Sequence, residues 1–428
     1  MEELVILHIS DLHFGIENDK TEQTKYVRLR QRESLKSLIE TIKSIVEITP
    51  DWKPNIIAIS GDISWSGQPD EYKLYKKHFA VPLSEALNIS QDHIITCPGN
   101  HDIIRNKVYG LSRHPKESID PDVNDLNIAE ISKQAKHFKG YVDELCNGDS
   151  SQLCKIVSYP EYPWVSFLSL NSAWDCRNDA DEGRLRVGLP LFETLIDNVP
   201  DENYVITLFH HPHTEVDDYI ETIDGNRNRV IKCKKRQWLH ISERESVYPG
   251  GRSFTDYVEQ KSTFILNGHI HKETEPQKLN KSIQLISGTL YSNDTPKYHC
   301  RLLKLSKKKD PCYRDLRRNL GDDGDWEVTQ SKKFQFEHIA IIISRKQAQQ
   351  EREREFGIRL MEAQKQFEQD NNLDEYKAAI SEIARELSNE AIKQSSKEIE
   401  QKKYYSEKVT EVTHEEALSY KNGDKTNV

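Results

Sequence analysis

Five short apolar runs in this 428-residue chain each end in a cluster of aspartate, histidine, asparagine and glycine. Leu4–Ile9 leads into Ser10-Asp11-Leu12-His13, and Asn55–Ser60 into Gly61-Asp62. His93–Thr96 leads into Cys97-Pro98-Gly99-Asn100-His101-Asp102. Tyr204–Phe209 runs into His210-His211, and Thr263–Leu266 into Asn267-Gly268-His269-Ile270-His271. Such runs have strand length and β-branched content, as do Val165–Leu170, Ile283–Ile286 and Arg301–Leu305. Between the first two, Leu35, Leu38, Ile39, Ile42, Ile45 and Val46 recur at helical spacing and form one apolar face. Strands with intervening helices point to an α/β or α/β/α sandwich, and the closer spacing of the later strands points to a mixed sheet.

In an open α/β sheet, ligands bind beyond the carboxyl ends of the strands. The five strand ends would therefore bring Asp, His and Asn side chains to one rim, with glycines allowing the tight turns. A mixed oxygen and nitrogen donor set without thiolate suits divalent Mn, Fe or Zn. Seven candidate ligands exceed the needs of one ion but fit two ions that share a carboxylate. Two cations about 3.5–4 Å apart can clamp the attacking and leaving oxygens of a phosphoryl displacement. Taken singly, each motif is weak, since Asp-x-His after a strand is more often a turn cap beside a surface histidine. Five such coincidences, each at a strand end, are much harder to obtain by chance.

As a set, Asp11-x-His13, Gly61-Asp62, Gly99-Asn100-His101-Asp102, His210 and Gly268-His269-x-His271 resemble the calcineurin-like metallophosphoesterase superfamily over roughly residues 1–305. The resemblance implies a four-layer α/β/β/α metallophosphoesterase sandwich with a binuclear metal centre. It implies that Asp11, His13 and His271 hold the first metal, that Asp62 bridges, and that Asn100, His210 and His269 hold the second. His101 would protonate the leaving alkoxide, oriented by Asp102, after in-line attack by a metal-bridging hydroxide. The doublet leaves the ligand between His210 and His211. The family pattern favours His210, leaving His211 to face substrate or to support the ligands, and the expected catalytic role of His211 is to neutralise, with the metals, charge on the equatorial phosphate oxygens. His213 reads as a pocket-edge residue, His8 as a packed core histidine and Cys97 as a small buried residue.

The segment Gly61-Asp62-Ile63-Ser64-Trp65-Ser66-Gly67-Gln68-Pro69-Asp70-Glu71-Tyr72, with His210-His211-Pro212, is similar to the cyclic-nucleotide phosphodiesterase branch. No arginine follows Asp62 as it does in the protein phosphatase branch. The implied activity is hydrolysis of phosphodiester bonds, in a nucleotide-type substrate. The alternative is a DNA nuclease subunit of an SbcCD-like complex, whose C-terminal helices bind a partner ATPase. Basic clusters at Arg227–Arg236 and at Lys304 and Lys307–Lys309 bear on that alternative. A metal-fold scaffold working through its helical tail is a third reading, which the full ligand set disfavours.

The net charge of −10 argues against a protein that coats nucleic acid or anionic membrane. No apolar stretch approaches the roughly 18 residues that span a bilayer. Two acids stand near the N-terminus where a signal peptide carries basic residues, and the 7 cysteines form no C-x-x-C pair. A soluble, cytoplasmic protein in a reducing compartment is expected. Walker A, G-x-G-x-x-G and G-x-S-x-G patterns are absent from the sequence.

Four segments are expected: a metallophosphoesterase domain over 1–310 with an insertion near 212–262, a loop or edge hairpin over 311–344, a helical hairpin over 345–395, and a frayed or disordered tail over 396–428. A final apolar run, His338–Ile343, precedes the helices. Phe356, Leu360, Ala363 and Phe367, and then Tyr376, Ile380, Ile383 and Leu387, step by four and three on either side of Asp370-Asn371-Asn372. These narrow stripes predict self-association or a helical protein partner through residues 345–395.

Overall fold

The run Leu4-Val5-Ile6-Leu7 has no polar alternate, so a strand made of it must be covered on both faces. In the computed structural model it forms most of β1 (Glu3–Ile9), and every residue from Leu4 onward is buried. The structure describes residues 1–16, 24–104, 136–174, 176, 185, 187, 189–200, 202–212, 215–216, 219–223, 229–233, 254–279, 281–291, 297–319, 326–334, 358–359, 361–366, 377–382 and 385. Val5, Leu7 and Ile9 pack on one side of the strand, in a core shared with Leu35, Leu38 and Ile42. Leu4 and Ile6 pack on the other, with Phe167, Ile206 and Leu266 from a second sheet.

β1 pairs in parallel with β2 (Ile56–Ile59), which pairs in parallel with β3 (Ile94–Thr96). Helices α1 (Thr24–Ile48), α2 (Pro69–Tyr75) and α3 (Val81–Leu87) cover the outer face of this sheet. Proline at the first turn and a reciprocal Gln68/Glu71 capping box start α2. Asn88, at φ 50°, ends α3. After α4 (Lys139–Leu145), the second sheet is built from β4 (Lys155–Ser158), β5 (Val165–Ser169) and β6 (Tyr204–Leu208). Helix α5 (Leu189–Ile196) lies between the last two in sequence.

An antiparallel hairpin, β7 (Tyr219–Ile223) and β8 (Arg229–Cys233), stands in the expected insertion. Helix α6 (Phe254–Lys261) and strands β9 (Phe264–Asn267), β10 (Gln277–Leu279) and β11 (Ser282–Ile286) follow. The second sheet has the order β10-β11-β9-β6-β5-β4. Phe192 of α5 and Phe254 of α6 meet edge to face on its outer side, with ring centroids 5.7 Å apart. The chain then returns to the first sheet through β12 (Lys297–Ser306), antiparallel to β1, and β13 (Cys312–Asn319). The short strands β14 (Glu327–Val328) and β15 (Lys332–Lys333) flank β13. Two mixed sheets face to face with helices outside make the expected α/β/β/α sandwich.

All eight strands expected from apolar runs are present, with ends shifted by a residue or two and the longest extension in β12. The region read as loop or edge hairpin contains an eight-residue strand, β13. Its alternation was obscured because one of its fully buried positions is a charged residue, Asp315. Residues Met1–Ser344 form one compact unit and Arg345–Val428 another. In the second, residues 358–359, 361–366 and 377–382 are helical, with Ile358 and Met361 exposed. The run His338–Ile343, the Asp370-Asn371-Asn372 break, and Phe356, Leu360, Phe367, Tyr376, Ile383 and Leu387 lie outside the described residues. No helix among the described residues is long and apolar enough to cross a membrane. Cys97, Cys146, Cys154, Cys176, Cys300 and Cys312 form no disulfide among the described residues, and burial pushes the Cys97 thiol far above its usual range.

His8 is fully buried on the inter-sheet side of β1, with Nε2 2.9 Å from Ser60 Oγ. Burial, reinforced by the Arg301 charge, holds its pKa well below the usual imidazole range. The unfolded chain therefore binds a proton near pH 6.5 that the folded chain refuses, and stability is lost as pH falls through that value. His8→Leu should remove this component. Between pH 7.5 and 5.5 the unfolding free energy from urea titration should fall more for the wild type, by up to about 1.4 kcal/mol per pH unit. Parallel losses in both proteins would show that His8 is not held neutral.

Candidate metal centre

The carboxyl ends of β1, β2, β3, β6 and β9 open onto one pocket, and the backbone must turn sharply for their side chains to converge. Asp11, His13, Asp62, His269 and His271 all adopt left-handed conformations, with φ between 51° and 74°. For residues other than glycine that conformation costs about 1–2 kcal/mol each. Hydrogen bonds between neighbouring loops offset the cost. Asp11 N donates to Gly61 O (3.1 Å), and Leu12 N and His13 N both donate to Asp62 O (2.9 and 3.0 Å).

Asp11, His13, Asp62 and His271 form one cluster, whose potential ligand atoms all lie within 4.8 Å of one another. His210, His211 and His269 form a second by the same measure. Asp62 touches both: its Oδ2 lies 3.3 Å from His13 Nε2 and 3.2 Å from His210 Nε2. Asn100 Oδ1 lies 2.9 Å from His210 Nε2 and 3.1 Å from His269 Nδ1. All seven expected ligands thus share one pocket. His210 donates through Nδ1 to Ser60 O (2.7 Å), which turns Nε2 toward Asp62 and Asn100. His211 is 1% exposed and tied to Ser172 Oγ by Nδ1 (2.8 Å), with Cys176 Sγ 3.6 Å from Nε2.

Burial opposes ionisation throughout, yet the pocket stays charged. Desolvation would raise Asp11, but His271 and His210 bring it down to about 2. Asp62 lies well below its usual range for the same reason, through His210 and His101. Desolvation would lower His210, but Asp62 and Asp11 carry it up to about 10. Burial and the neighbouring His269 and His210 hold His211 well below the usual range. Asp11 Oδ1 is buried and accepts no well-formed hydrogen bond, although His271 Nε2 is 3.2 Å away. Two buried carboxylates, convergent imidazoles and an amide oxygen form a donor set that fits two divalent cations. Such cations would compete with protons for the same lone pairs.

Asp102 is engaged by the loops on either side of it. Its carboxylate accepts from Gly99 N (2.9 Å), Ser64 N (3.0 Å), Ser64 Oγ (2.9 Å) and Tyr72 OH (2.9 Å). It braces the two loops that carry Asp62 and Asn100. His101 Nδ1 donates to Trp65 O (2.9 Å), and the Trp65 indole stacks on the imidazole with centroids 4.4 Å apart. The segment from Glu71 to Tyr72 also serves the loop: Glu71 accepts from Ser66 N, Ser66 Oγ and Gln68 N.

Trp65 was missed as a site residue because a backbone carbonyl acceptor leaves no mark in the sequence. Glu215 was missed too; its Oε2 lies 3.0 Å from His269 Nε2. A single acid at the edge of a polar insertion carries no distinguishing signal. His213 lies outside the described residues.

The profile of the calcineurin-like phosphoesterase family matches residues 4–273. An uncharacterised metallophosphoesterase-like protein of Bacillus subtilis, YydB, is 24% identical over 317 residues, 68% of this chain and 55% of that one. The chain therefore spans about half the length of that relative. Among solved structures, a dimetal phosphatase from Danio rerio is 10% identical over 78% of this chain and 100% of its own, with a TM-score of 0.36. An archaeal phosphodiesterase is 12% identical over 74% of this chain and 100% of its own, with a TM-score of 0.24.

A Cβ at Gly99 would collide with the Asp62 carboxylate and lie 2.5 Å from Asp62 N. Gly99→Ala should therefore displace Asp62 and lower bound metal by at least one equivalent per chain, with circular dichroism unchanged. Elemental analysis after dialysis against Mn²⁺ checks this. Wild-type occupancy in the variant would mean that Asp62 is not held where the pocket needs it.

Proposed function

The chain belongs to the calcineurin-like phosphoesterase family, whose members are metal-dependent phosphoric ester hydrolases, and on that premise we propose that it cleaves phosphodiester bonds in a nucleotide-type substrate. The observation that carries the proposal is the shared carboxylate of Asp62, in contact with His13 on one side and His210 on the other. Asp11, His13 and His271 would hold one divalent cation, Asn100, His210 and His269 the other, and Asp62 both. When bound, such a pair supplies an activated water and neutralises charge building on the phosphate oxygens.

The remaining chemistry belongs to side chains. With Nδ1–H committed to Trp65 O, His101 presents Nε2 as the atom that gives a proton to the leaving alkoxide. An imidazolium suits that task near neutral pH. Trp65 holds the ring plane, and Asp102 keeps the Gly99–Asp102 turn against the Asp62 loop. His211, buried against Ser172, stands within the second cluster beside His210 and His269.

The similarity of Gly61–Tyr72 to cyclic-nucleotide phosphodiesterases supports a nucleotide diester. The nuclease reading draws less support from its basic patch, because three of its lysines are already paired. Lys304 meets Glu3 and Asp51, Lys308 meets Glu2, and Lys309 meets Glu3. Parallel assays on bis-p-nitrophenyl phosphate, cyclic nucleotides and single-stranded DNA, with metal analysis, separate these readings. Cleavage of DNA alone would overturn the nucleotide assignment.

Asp62→Ala should abolish activity and reduce bound metal to one equivalent or none. His101→Ala should keep both metals and slow substrates with poor leaving groups by about 10²–10⁴-fold. A nitrophenyl ester should be affected less, because its leaving group hardly needs a proton. Loss of a metal equivalent in His101→Ala would refute this division of roles.

We further propose that the second unit, Arg345–Val428, mediates assembly with a helical partner or a second copy and is dispensable for chemistry. Exposure of Ile358 and Met361 on its described helical residues supports this. Truncation after Ser344 should preserve hydrolysis of a small diester and lower the mass seen by light scattering. An insoluble product, or an unchanged oligomeric state, would place these residues in the catalytic unit.

A further inference from the structure

The β12–β13 hairpin buries a group of charges beneath the pocket that the proposed chemistry does not use. Asp315 and Arg301 are fully buried, and His299 is nearly so. Asp315 Oδ1 accepts from Arg301 Nε (2.7 Å) and His299 Nε2 (3.1 Å), while Oδ2 faces Arg317 Nη2 (3.6 Å) and Lys332 Nζ (3.4 Å). Glu273, His299 and Asp315 lie close enough together to resemble a third metal cluster. Two features argue against one. Arginines already neutralise both carboxylates, and His299 Nδ1 accepts from Gly288 N (3.1 Å), so its Nε2 carries a hydrogen rather than a lone pair.

From this group two sets of bonds run to the first cluster. Arg301 Nη2 donates to Thr274 O (3.0 Å), and Arg317 Nε donates to Glu273 Oε1 and Oε2 (2.9 and 2.8 Å). Both fix the loop after β9 that carries His271. On the other side, the His299 bond to Gly288 fixes the segment after β11. There Thr289 Oγ1 donates to Asp11 O (2.9 Å), and Tyr291 O accepts from His13 Nδ1 (3.1 Å). Asp11, His13 and His271 are thus each one loop removed from Asp315.

We propose that Asp315, Arg301 and Arg317 are positioning residues that set the affinity of the Asp11–His13–Asp62–His271 cluster for a divalent cation. The inference rests on the reading of that cluster as a metal site. Burying the Asp315–Arg301 ion pair contributes little to stability compared with an apolar core of equal volume. Their directional bonds do hold two loops in register, as the outer hydrogen bonds of metal ligands commonly do. Arg317 is the informative handle, because it is one-third exposed and its loss leaves the Arg301–Asp315 pair intact.

The experiment titrates Mn²⁺ calorimetrically into the full-length, metal-stripped protein. Arg317→Gln should fold as the wild type does and bind the cation at the first cluster about 10–100-fold more weakly. Arg317→Lys should recover part of that loss. Because Arg317 acts through His271, the penalty should disappear when Arg317→Gln is added to His271→Ala. Asp315→Asn should show the larger defect if it folds. Wild-type affinity in Arg317→Gln, or a penalty that persists in the double variant, would overturn the inference while leaving the metal site standing. A wild-type protein that takes up no Mn²⁺ would instead overturn the metal site, and this inference with it.

Discussion

Asp11 and Asp62 are buried in the same pocket, within one cluster, and the surrounding structure makes that juxtaposition tolerable. Each carboxylate repels the other and has lost its water. Ionisation survives only because His271 and His210 lean on them and because backbone amides reach in. His269 N donates to Asp11 Oδ2 (3.1 Å), and His101 N donates to Asp62 Oδ1 (2.8 Å). The elevated proton affinity of His210 is the counterpart of the same balance.

That balance dictates the backbone. Carboxylates and imidazoles from both sheets can meet only if their loops double back at once after the strands, which is why the left-handed residues gather here. Among the described residues, the other two left-handed positions outside glycine are Asn88 and Asn147, at ordinary turns. Glycine enters where no side chain could fit. A Cβ at Gly268 would run into Ser10 Oγ, and one at Gly61, whose φ is 94°, would press on the His210 ring. Local strain of this kind persists only when surrounding contacts over-determine it, and here paired loops and a two-sided core do so.

The same physics decides what could be read from the sequence. Strands covered on both faces are nearly pure apolar runs, so β1, β2, β6 and β9 were legible, and with them the residues just beyond. The ligand types were legible because metal chemistry accepts few donors. Three features were not. β13 alternates, but with Asp315 in one of its buried positions, so hydropathy hides it. The orientation of His101 depends on the Trp65 carbonyl, which every residue type possesses. The role of Asp102 as its partner is implied by the family resemblance and not by anything in the residues themselves. The turn at Gly99 directs that carboxylate to Ser64 and Tyr72. Glu215 reaches His269 from an insertion whose composition is charged throughout, so nothing marked that one acid.

Asp102 and Asp315 therefore share a logic that sequence pattern alone conceals. Each is fully buried, each accepts several hydrogen bonds, and neither belongs to a cluster that the family chemistry requires. Burial raises the pKa of Asp102, with Asp62 adding to the effect, whereas Arg301 and His299 overcome burial and draw Asp315 down. One carboxylate is sustained by neutral donors beside another acid; the other is sustained by cations in a separate layer. The consequence for the pocket is a division of labour. Asp102 joins the loops after β2 and β3, which carry Asp62, Asn100 and His101. Asp315 joins the loops after β9 and β11, which carry His271 and meet Asp11 and His13. The two halves of the pocket have separate carboxylate braces, and the Asp62 loop, bonded through its carbonyl to Leu12 N and His13 N and in contact through its carboxylate with His13 and His210, is where their registers must agree.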